Sequence, residues 1–406
     1  MLRHESPYSI VRGLRPEVPV ICARPERAKA AARWFLDAFE GEVLYAVKVN
    51  PSPWVLDALW DAGVRWFDVA SEAEVELVGS RFKGANLAFM HPVKTRRAIA
   101  RAYSDFGCRI FVLDTHDELH KILEATQGAK DLTLVVRAAV SGKGSLLPLS
   151  GKFGAALEEL PELLRATRAY AAELGVSFHV GSQCMDPGAY REAMADVSDA
   201  IKQAGVTVDI VDVGGGFPSV YPGMNPPPLQ AYMDAIHEAF EDMMVLGNAD
   251  LWCEPGRALV AEAASVLCRV DLVKPGALYI NDGSYGALYD AAHERWRYPT
   301  RCISSGGREL SGDLVEWKVY GPTCDSTDKF AEGVWLPASL REGDYIEFGN
   351  LGGYGSSMAT RFNGFGAFET VGVADRPFAS LFPMEAPAQV AKVLPFRRLG
   401  DARRPR

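Results

Sequence analysis

Short apolar runs recur along the first two-thirds of the chain, most of them followed by a stretch of helix length. They fall near Val43–Val47, Arg65–Val69, Asn86–Met90, Ile110–Leu113, Leu132–Val136, Val176–Val180, Ile210–Val213 and Leu251–Cys253. Unbroken apolar runs of this length mark strands buried on both faces, as parallel strands are. Strands alternating with helices in this number predict a (β/α)8 barrel of the TIM type. Helix signals agree with that reading. Ser71 precedes a helical stretch with Glu74 three residues on, a capping box, and Gly84 and Gly128 fall where helix C-caps are expected.

The remaining sequence has a different texture. Val18–Cys22, Val266–Leu272, Trp317–Tyr320, Tyr345–Phe348 and Phe368–Val373 are strand-like and separated by turns. At 406 residues the chain exceeds what one core usually serves. The predicted division is a barrel over 36–261 and a mainly β domain from 1–35 plus 262–406.

Polar residues punctuate the predicted strands at one end. Lys48, Asp68, Asp114, Arg137, His179, Gly214–Gly216 and Glu254 all fall at or just past strand C-termini, the rim where barrel enzymes build their active sites. A lysine ending a buried strand is partly desolvated, which lowers its pKa and frees the amine to attack a carbonyl. The glycines of Asp212-Val213-Gly214-Gly215-Gly216-Phe217-Pro218 let backbone approach an anion closely; read alone they serve a tight turn as well. Glu254, in Glu254-Pro255-Gly256-Arg257, suits the protonated nitrogen of a heteroaromatic ring or an ion pair with Arg257. Cys324 and Asp325 share the turn-rich segment Tyr320–Asp328. His116 and His120 are spaced as metal ligands on a helix, but the glutamate is misplaced for a metalloprotease motif and no third ligand is evident. No metal site is expected.

Bulk properties narrow the classes. A net charge of −9 argues against nucleic-acid binding, and no apolar stretch is long enough to span a bilayer. The seven cysteines are scattered without C-x-x-C pairs, which fits a reducing cytoplasm. The basic residues between Arg397 and Arg406 read as a solvated terminus.

Taken in order, the motifs resemble those of the alanine-racemase-fold pyridoxal phosphate decarboxylases, most closely the ornithine decarboxylase branch, from about Pro19 to Ala367. The resemblance implies that Lys48, in Ala46-Val47-Lys48-Val49-Asn50, carries pyridoxal 5'-phosphate covalently. His179 would stack on the ring, with Asp68 and Arg137 near its substituents. Ser182, Gly214, Gly215, Gly216, Arg257 and Tyr354 would hold the phosphate, and Glu254 the ring nitrogen. By the same likeness the active sites form at a homodimer interface, and the partner subunit supplies Cys324 as proton donor and Asp325 as ligand of the substrate's distal amine. Phe362 would line the site, and Lys152 and Asp328 would form a cross-subunit ion pair.

Substrate choice rests on the distal end. Diaminopimelate decarboxylases carry glutamate after this cysteine and an arginine shortly before an Ala-Leu-Tyr segment. Here Asp325 follows Cys324, and Ser284-Tyr285-Gly286-Ala287-Leu288-Tyr289-Asp290 offers a carboxylate and no arginine. Asp290 and Asp325 together suit a substrate ending in an ammonium. Gln183 and the short Gly283–Asp290 segment depart from the ornithine pattern. The expected reaction is decarboxylation of L-ornithine to putrescine for polyamine synthesis, with L-lysine also accepted. Diaminopimelate, carboxynorspermidine or a siderophore precursor are the alternative substrates, and a non-catalytic regulator is the reading from another class.

Overall fold

The structure is a computed structural model that describes residues 3–148, 151–243, 245 and 247–383. The basic C-terminal residues considered above lie outside the described residues. Eight parallel strands close a barrel: β1 (Glu42–Ala46), β2 (Trp66–Val69), β3 (Asn86–Phe89), β4 (Ile110–Leu113), β5 (Thr133–Arg137), β6 (Glu173–Ser177), β7 (Ile210–Asp212) and β8 (Asp250–Cys253). Closure comes from β6 pairing with β7 and β8 with β1. The sixth strand ends three residues earlier than the apolar run suggests. Beyond Ser177 the chain turns through Gly181 at φ +103°, and Ser182–Cys184 pairs antiparallel with Ser145–Leu147.

Strand alternation explains the layering. Leu44, Ala88, Ile110, Val112, Val135, Ile210 and Trp252 form one buried cluster, the plug of the barrel. Their strand neighbours Val43, Tyr45, Phe67, Phe89, Phe111 and Leu113 belong to the larger core that packs under the helices. With a side-chain period of two, the residues two steps beyond the plug face inward at the C-terminal rim. Those positions are Ala46, Met90, Asp114, Arg137, Asp212 and Glu254. The plug is apolar and extends to Met90, and four of those six positions, Asp114, Arg137, Asp212 and Glu254, are charged.

Ser71 caps the helix Glu72–Arg81 through its hydroxyl, and Glu74 reaches back one residue further than a capping box requires, to the amide of Ala70. Gly84 and Gly128 are left-handed but stand two residues past the C-caps, which are Phe82 and Thr126. His116 and His120 lie on the helix His116–Ala125.

The second domain is built on one long strand, Ala264–Lys274, which pairs with Val20–Ala23, Ala277–Ile280 and Tyr345–Phe348. Val20–Ala23 also pairs in parallel with Glu369–Val373, so both ends of the described chain enter this sheet. The helix Pro25–Ala38 runs through the boundary expected at 36, and its buried face (Ala28, Ala31, Ala32, Phe35) joins the barrel core. No helix among the described residues is long and apolar enough to cross a membrane.

A buried charge network locks the sheet. Arg24 is 3% exposed and donates to Glu347, itself fully buried, and to Asp375; Arg301 reaches the same two carboxylates. Removing one member of such a network leaves the others desolvated and unpaired. Glu347→Ala is expected to cost about 3–5 kcal/mol in urea denaturation followed by tryptophan fluorescence. A loss below about 1 kcal/mol would mean that packing around the arginines, and not pairing, carries the stability.

Candidate active site

The charged layer opens into a cavity of about 490 Å³ lined by Lys48, Arg137, His179, Ser182, Gly215, Gly216, Glu254, Arg257 and Tyr354 among others. Residues singled out in the sequence, drawn from both domains, thus meet around one space. Asp68 stands directly behind them, its carboxylate 2.7 Å from Lys48 Nζ. Lys48 sits in the 3-10 turn Val47–Val49 that ends β1, its side chain 43% exposed to the cavity.

The protonation of Lys48 differs from the expectation. Burial does lower its pKa, but the carboxylates of Asp68 and Glu254 outweigh that, and the net shift is upward. The error came from counting desolvation without the two acids that the fold brings alongside.

His179 behaves in the opposite sense. Burial, then the charges of Arg137 and Lys48, push its imidazole down to about 3, so it is neutral at neutral pH. The amide of Gly181 donates to Nδ1 at 2.9 Å, which leaves the proton on Nε2. A neutral ring beside the cavity is suited to stacking on a flat ligand.

Glu254 is not paired with Arg257. Burial and the neighbouring carboxyls of Asp212 and Asp68 drive its pKa well up, against Lys48 and Arg137. Its Oε1 is buried and has no hydrogen-bond partner in the chain, nor has Oδ1 of Asp68. Asp212 is pushed up to about 6 by burial, partly offset by the Gly214 amide.

The glycine run is required by close approach. Gly214 and Gly216 have φ of +68° and +110°. A Cβ on Gly215 would lie 2.8 Å from the Glu254 carbonyl oxygen and 3.1 Å from His179 Nε2. Gly215 and Gly216 face the cavity and Gly214 braces them from behind, its carbonyl accepting the Glu254 amide. The Gln183 side chain exchanges two hydrogen bonds with the backbone of Ser219, and so pins the loop that follows the glycines.

Arg257 lies across this cradle, its guanidinium 4.6 Å from the Trp296 ring and 4.8 Å from that of Tyr354. Its Nε is buried without a partner. Asp290 is the acid nearest to it, with Oδ2 3.7 Å from Nη1. Asp290, expected among the substrate ligands, is thus found beside Arg257. One turn of helix, Tyr289–His293, carries its carboxylate behind Arg257, and it does not line the cavity.

Cys324, Asp325 and Phe362 are also away from the cavity of their own chain. Cys324 is the one exposed cysteine of the seven. Asp325 accepts from the Tyr285 hydroxyl at 2.5 Å and the Thr327 amide at 2.9 Å, and these bonds lower its pKa. Phe362 packs on Tyr285 at 4.8 Å between ring centroids and is 42% exposed. Asp328, expected in a cross-subunit ion pair with Lys152, is 2% exposed and saturated within its own chain. It accepts from the amides and hydroxyls of Ser284 and Thr323. Tyr285 escaped the sequence reading, as did His91 and Phe153, which line the cavity with rings 5.1 Å apart.

The donor set fits a phosphorylated pyridine aldehyde. An amine meets the aldehyde, an orphaned carboxyl the ring nitrogen, a neutral imidazole the ring face, and a glycine cradle with an arginine the phosphate. Residues 25–261 match the family model described as "Pyridoxal-dependent decarboxylase, pyridoxal binding domain". The chain belongs to the pyridoxal-dependent decarboxylases. It is 33% identical over 345 residues to a lysine/ornithine decarboxylase of Selenomonas ruminantium, covering 82% of this chain and 84% of that one. It is 32% identical to the ornithine decarboxylase of Schizosaccharomyces pombe, over 82% of this chain and 78% of that one. Among solved structures, the Vibrio vulnificus lysine/ornithine decarboxylase complexed with cadaverine superposes with a TM-score of 0.78 at 29% identity, over 92% of this chain and 100% of that one. The arginine decarboxylase of Paramecium bursaria Chlorella virus, bound to agmatine, gives 0.80 at 26%, over 90% and 98%. This decarboxylase is therefore a pyridoxal phosphate enzyme acting on an amino acid, with the barrel and β domain of its relatives.

Proposed function

We propose that this decarboxylase acts on a basic amino acid, L-ornithine foremost and L-lysine second, and that its product putrescine feeds polyamine synthesis in the cytoplasm. The observation that carries the reading is Asp325. Its carboxylate is held by Tyr285 and Thr327, its pKa is lowered, and it adjoins the exposed thiol of Cys324. A fixed anion next to the proton donor matches a substrate whose far end is an ammonium, and would repel a terminal carboxylate.

In this reading Lys48 holds the cofactor through its aldehyde, and Asp68 keeps the ε-amine aimed into the cavity. Ser182, Gly214, Gly215, Gly216, Arg257 and Tyr354 hold the phosphate, and Arg137 lies near the ring substituents. His179 covers one ring face, and Glu254 keeps the ring nitrogen protonated. The bound cofactor supplies an electron sink for the pair released when carbon dioxide leaves. Cys324 then donates its proton to the α-carbon, and Phe362 walls the substrate side. Asp290 is reassigned as the buried counter-charge of Arg257.

Cys324 and Asp325 lie on the surface of the protomer, outside the cavity that contains Lys48. In this reading they act on the site of a second copy, which makes the working unit a homodimer. We place the domain division near 261, with the helix Pro25–Ala38 counted with the barrel on the strength of its buried face.

The test is amine formation from L-ornithine, L-lysine, L-arginine, meso-diaminopimelate and carboxynorspermidine, followed by mass spectrometry. Putrescine is expected as the dominant product and cadaverine as the second. Preferential turnover of diaminopimelate would overturn the role of Asp325. Turnover of none would overturn the reading altogether.

A further inference from the structure

Resting on that reading of Cys324, we infer that Asn363 is a positioning residue that orients the thiol and keeps its proton in place for transfer. Asn363 Oδ1 accepts two bonds from one residue: the Cys324 amide at 3.2 Å and Cys324 Sγ at 3.1 Å. The amide bond settles which end of the Asn363 side chain faces Cys324. A backbone N–H needs an acceptor, so the oxygen must point there. Sγ meets that same oxygen, and two acceptors cannot share a contact of this length. Sγ is therefore the donor of that contact.

The local backbone suits this role. Asn363 has φ +53° and ψ +13°, left-handed values that asparagine and glycine adopt more readily than other residues. It stands in the turn Arg361-Phe362-Asn363-Gly364-Phe365-Gly366, whose two glycines are also left-handed, at +84° and +81°. The turn is tied to Tyr285 from two sides. The Thr360 amide donates to the Tyr285 carbonyl at 2.8 Å, and Phe362 packs on the Tyr285 ring. Tyr285 in turn holds Asp325. The turn and the 323–328 loop, far apart in sequence, thus form one unit that fixes thiol and carboxylate together.

On transfer the S–H turns from Oδ1 to the α-carbon, while the bond from the Cys324 amide to Asn363 keeps the residue in place. Once the bond to carbon dioxide has broken, the α-carbon keeps that electron pair. It forms a C–H bond with the proton from Sγ; the S–H bond breaks, and the thiolate regains a proton from water. A thiol left free to rotate delivers late, and solvent can protonate the cofactor carbon instead. After that misplaced proton, water hydrolyses the carbon–nitrogen double bond, which gives an aldehyde product and leaves the amino group on the cofactor.

Asn363→Gly removes the acceptor while suiting the left-handed backbone, and Asn363→Asp retains both. The full-length holoenzyme, turning over L-ornithine, is assayed for the ratio of aldehyde to amine and for the aminated cofactor. The glycine variant should raise the aldehyde fraction on the order of tenfold, with KM changed less than about threefold, because positioning and not binding is lost. The aspartate variant should stay close to wild type. An unchanged ratio in Asn363→Gly, with a raised one in Cys324→Ala, overturns the role of Asn363 alone. A leak as large in Asn363→Asp as in Asn363→Gly also counts against it. An unchanged ratio in Cys324→Ala removes the proton-donor reading and this inference with it.

Discussion

Lys48→Ala abolishes amine formation, with kcat reduced on the order of 10⁴-fold or more, as for loss of a covalent nucleophile that acts as part of a unit. The geometry makes the residue irreplaceable from nearby. Lys48 is the amine paired with Asp68 at 2.7 Å beside Glu254 and His179; Lys152 also lines the cavity, but its Nζ stands 5.0 Å from the Phe153 ring and has no such carboxylate partner among the described residues. The two acids hold Lys48 as an ammonium in the free protein, so it must give up a proton before it can take the aldehyde. The variant should keep its far-ultraviolet circular dichroism and lose the visible absorbance of the lysine-bound cofactor. Ordinary turnover by Lys48→Ala would end the mechanism. A collapsed spectrum would instead report that Asp68, buried and deprived of its cation, destabilises the barrel.

What the sequence made legible divides by the physics involved. The barrel strands showed because each is buried on both faces and reads as an apolar run, and the rim residues followed from lying at or just past the C-terminal ends of those runs. Strands such as Thr300–Ile303 and Val334–Pro337 did not show. They are short, mixed in polarity and buried on one side or partly, and only the long strand Ala264–Lys274 and its partners give them a place. Charge states were the least legible. The pKa of Lys48 depends on Asp68, 20 residues away, and on Glu254, 206 residues away, so that local burial alone gave the wrong sign. The neighbourhood of Asp290 was hidden for a related reason, since its contact with Arg257 spans a long stretch of sequence. Tyr285 and Asn363 needed contacts across 40 and 39 residues to become visible. The Asn-Gly pair at 363–364 was the available signal, a left-handed turn in a segment already suspected of lining the site.

Glu254→Gln should lower kcat about 10²–10³-fold while leaving the fold and much of the cofactor affinity intact, the range seen when one electrostatic partner of a reacting system is removed. Glu254 projects inward two residues beyond Trp252 of the plug, so the layer beneath it is apolar. Its Oε1 has no partner within the chain, and the Asp212 carboxyl beside it adds repulsion that only a cation or a proton relieves. A protonated ring nitrogen supplies that relief, and a carboxylate in turn keeps the nitrogen protonated. Glutamine has nearly the same shape and removes the charge. Its amide can donate to an unprotonated nitrogen, which favours the neutral ring and the weaker sink for the electron pair. The loss should therefore fall on kcat far more than on KM. The ¹⁵N shift of labelled ring nitrogen should move toward the unprotonated value in the variant. A rate within about threefold of wild type would show that ring protonation does not limit this decarboxylation, and that Glu254 serves the pocket structurally. A large rate loss with an unchanged ¹⁵N shift would place its contribution elsewhere, in orienting the ring against His179.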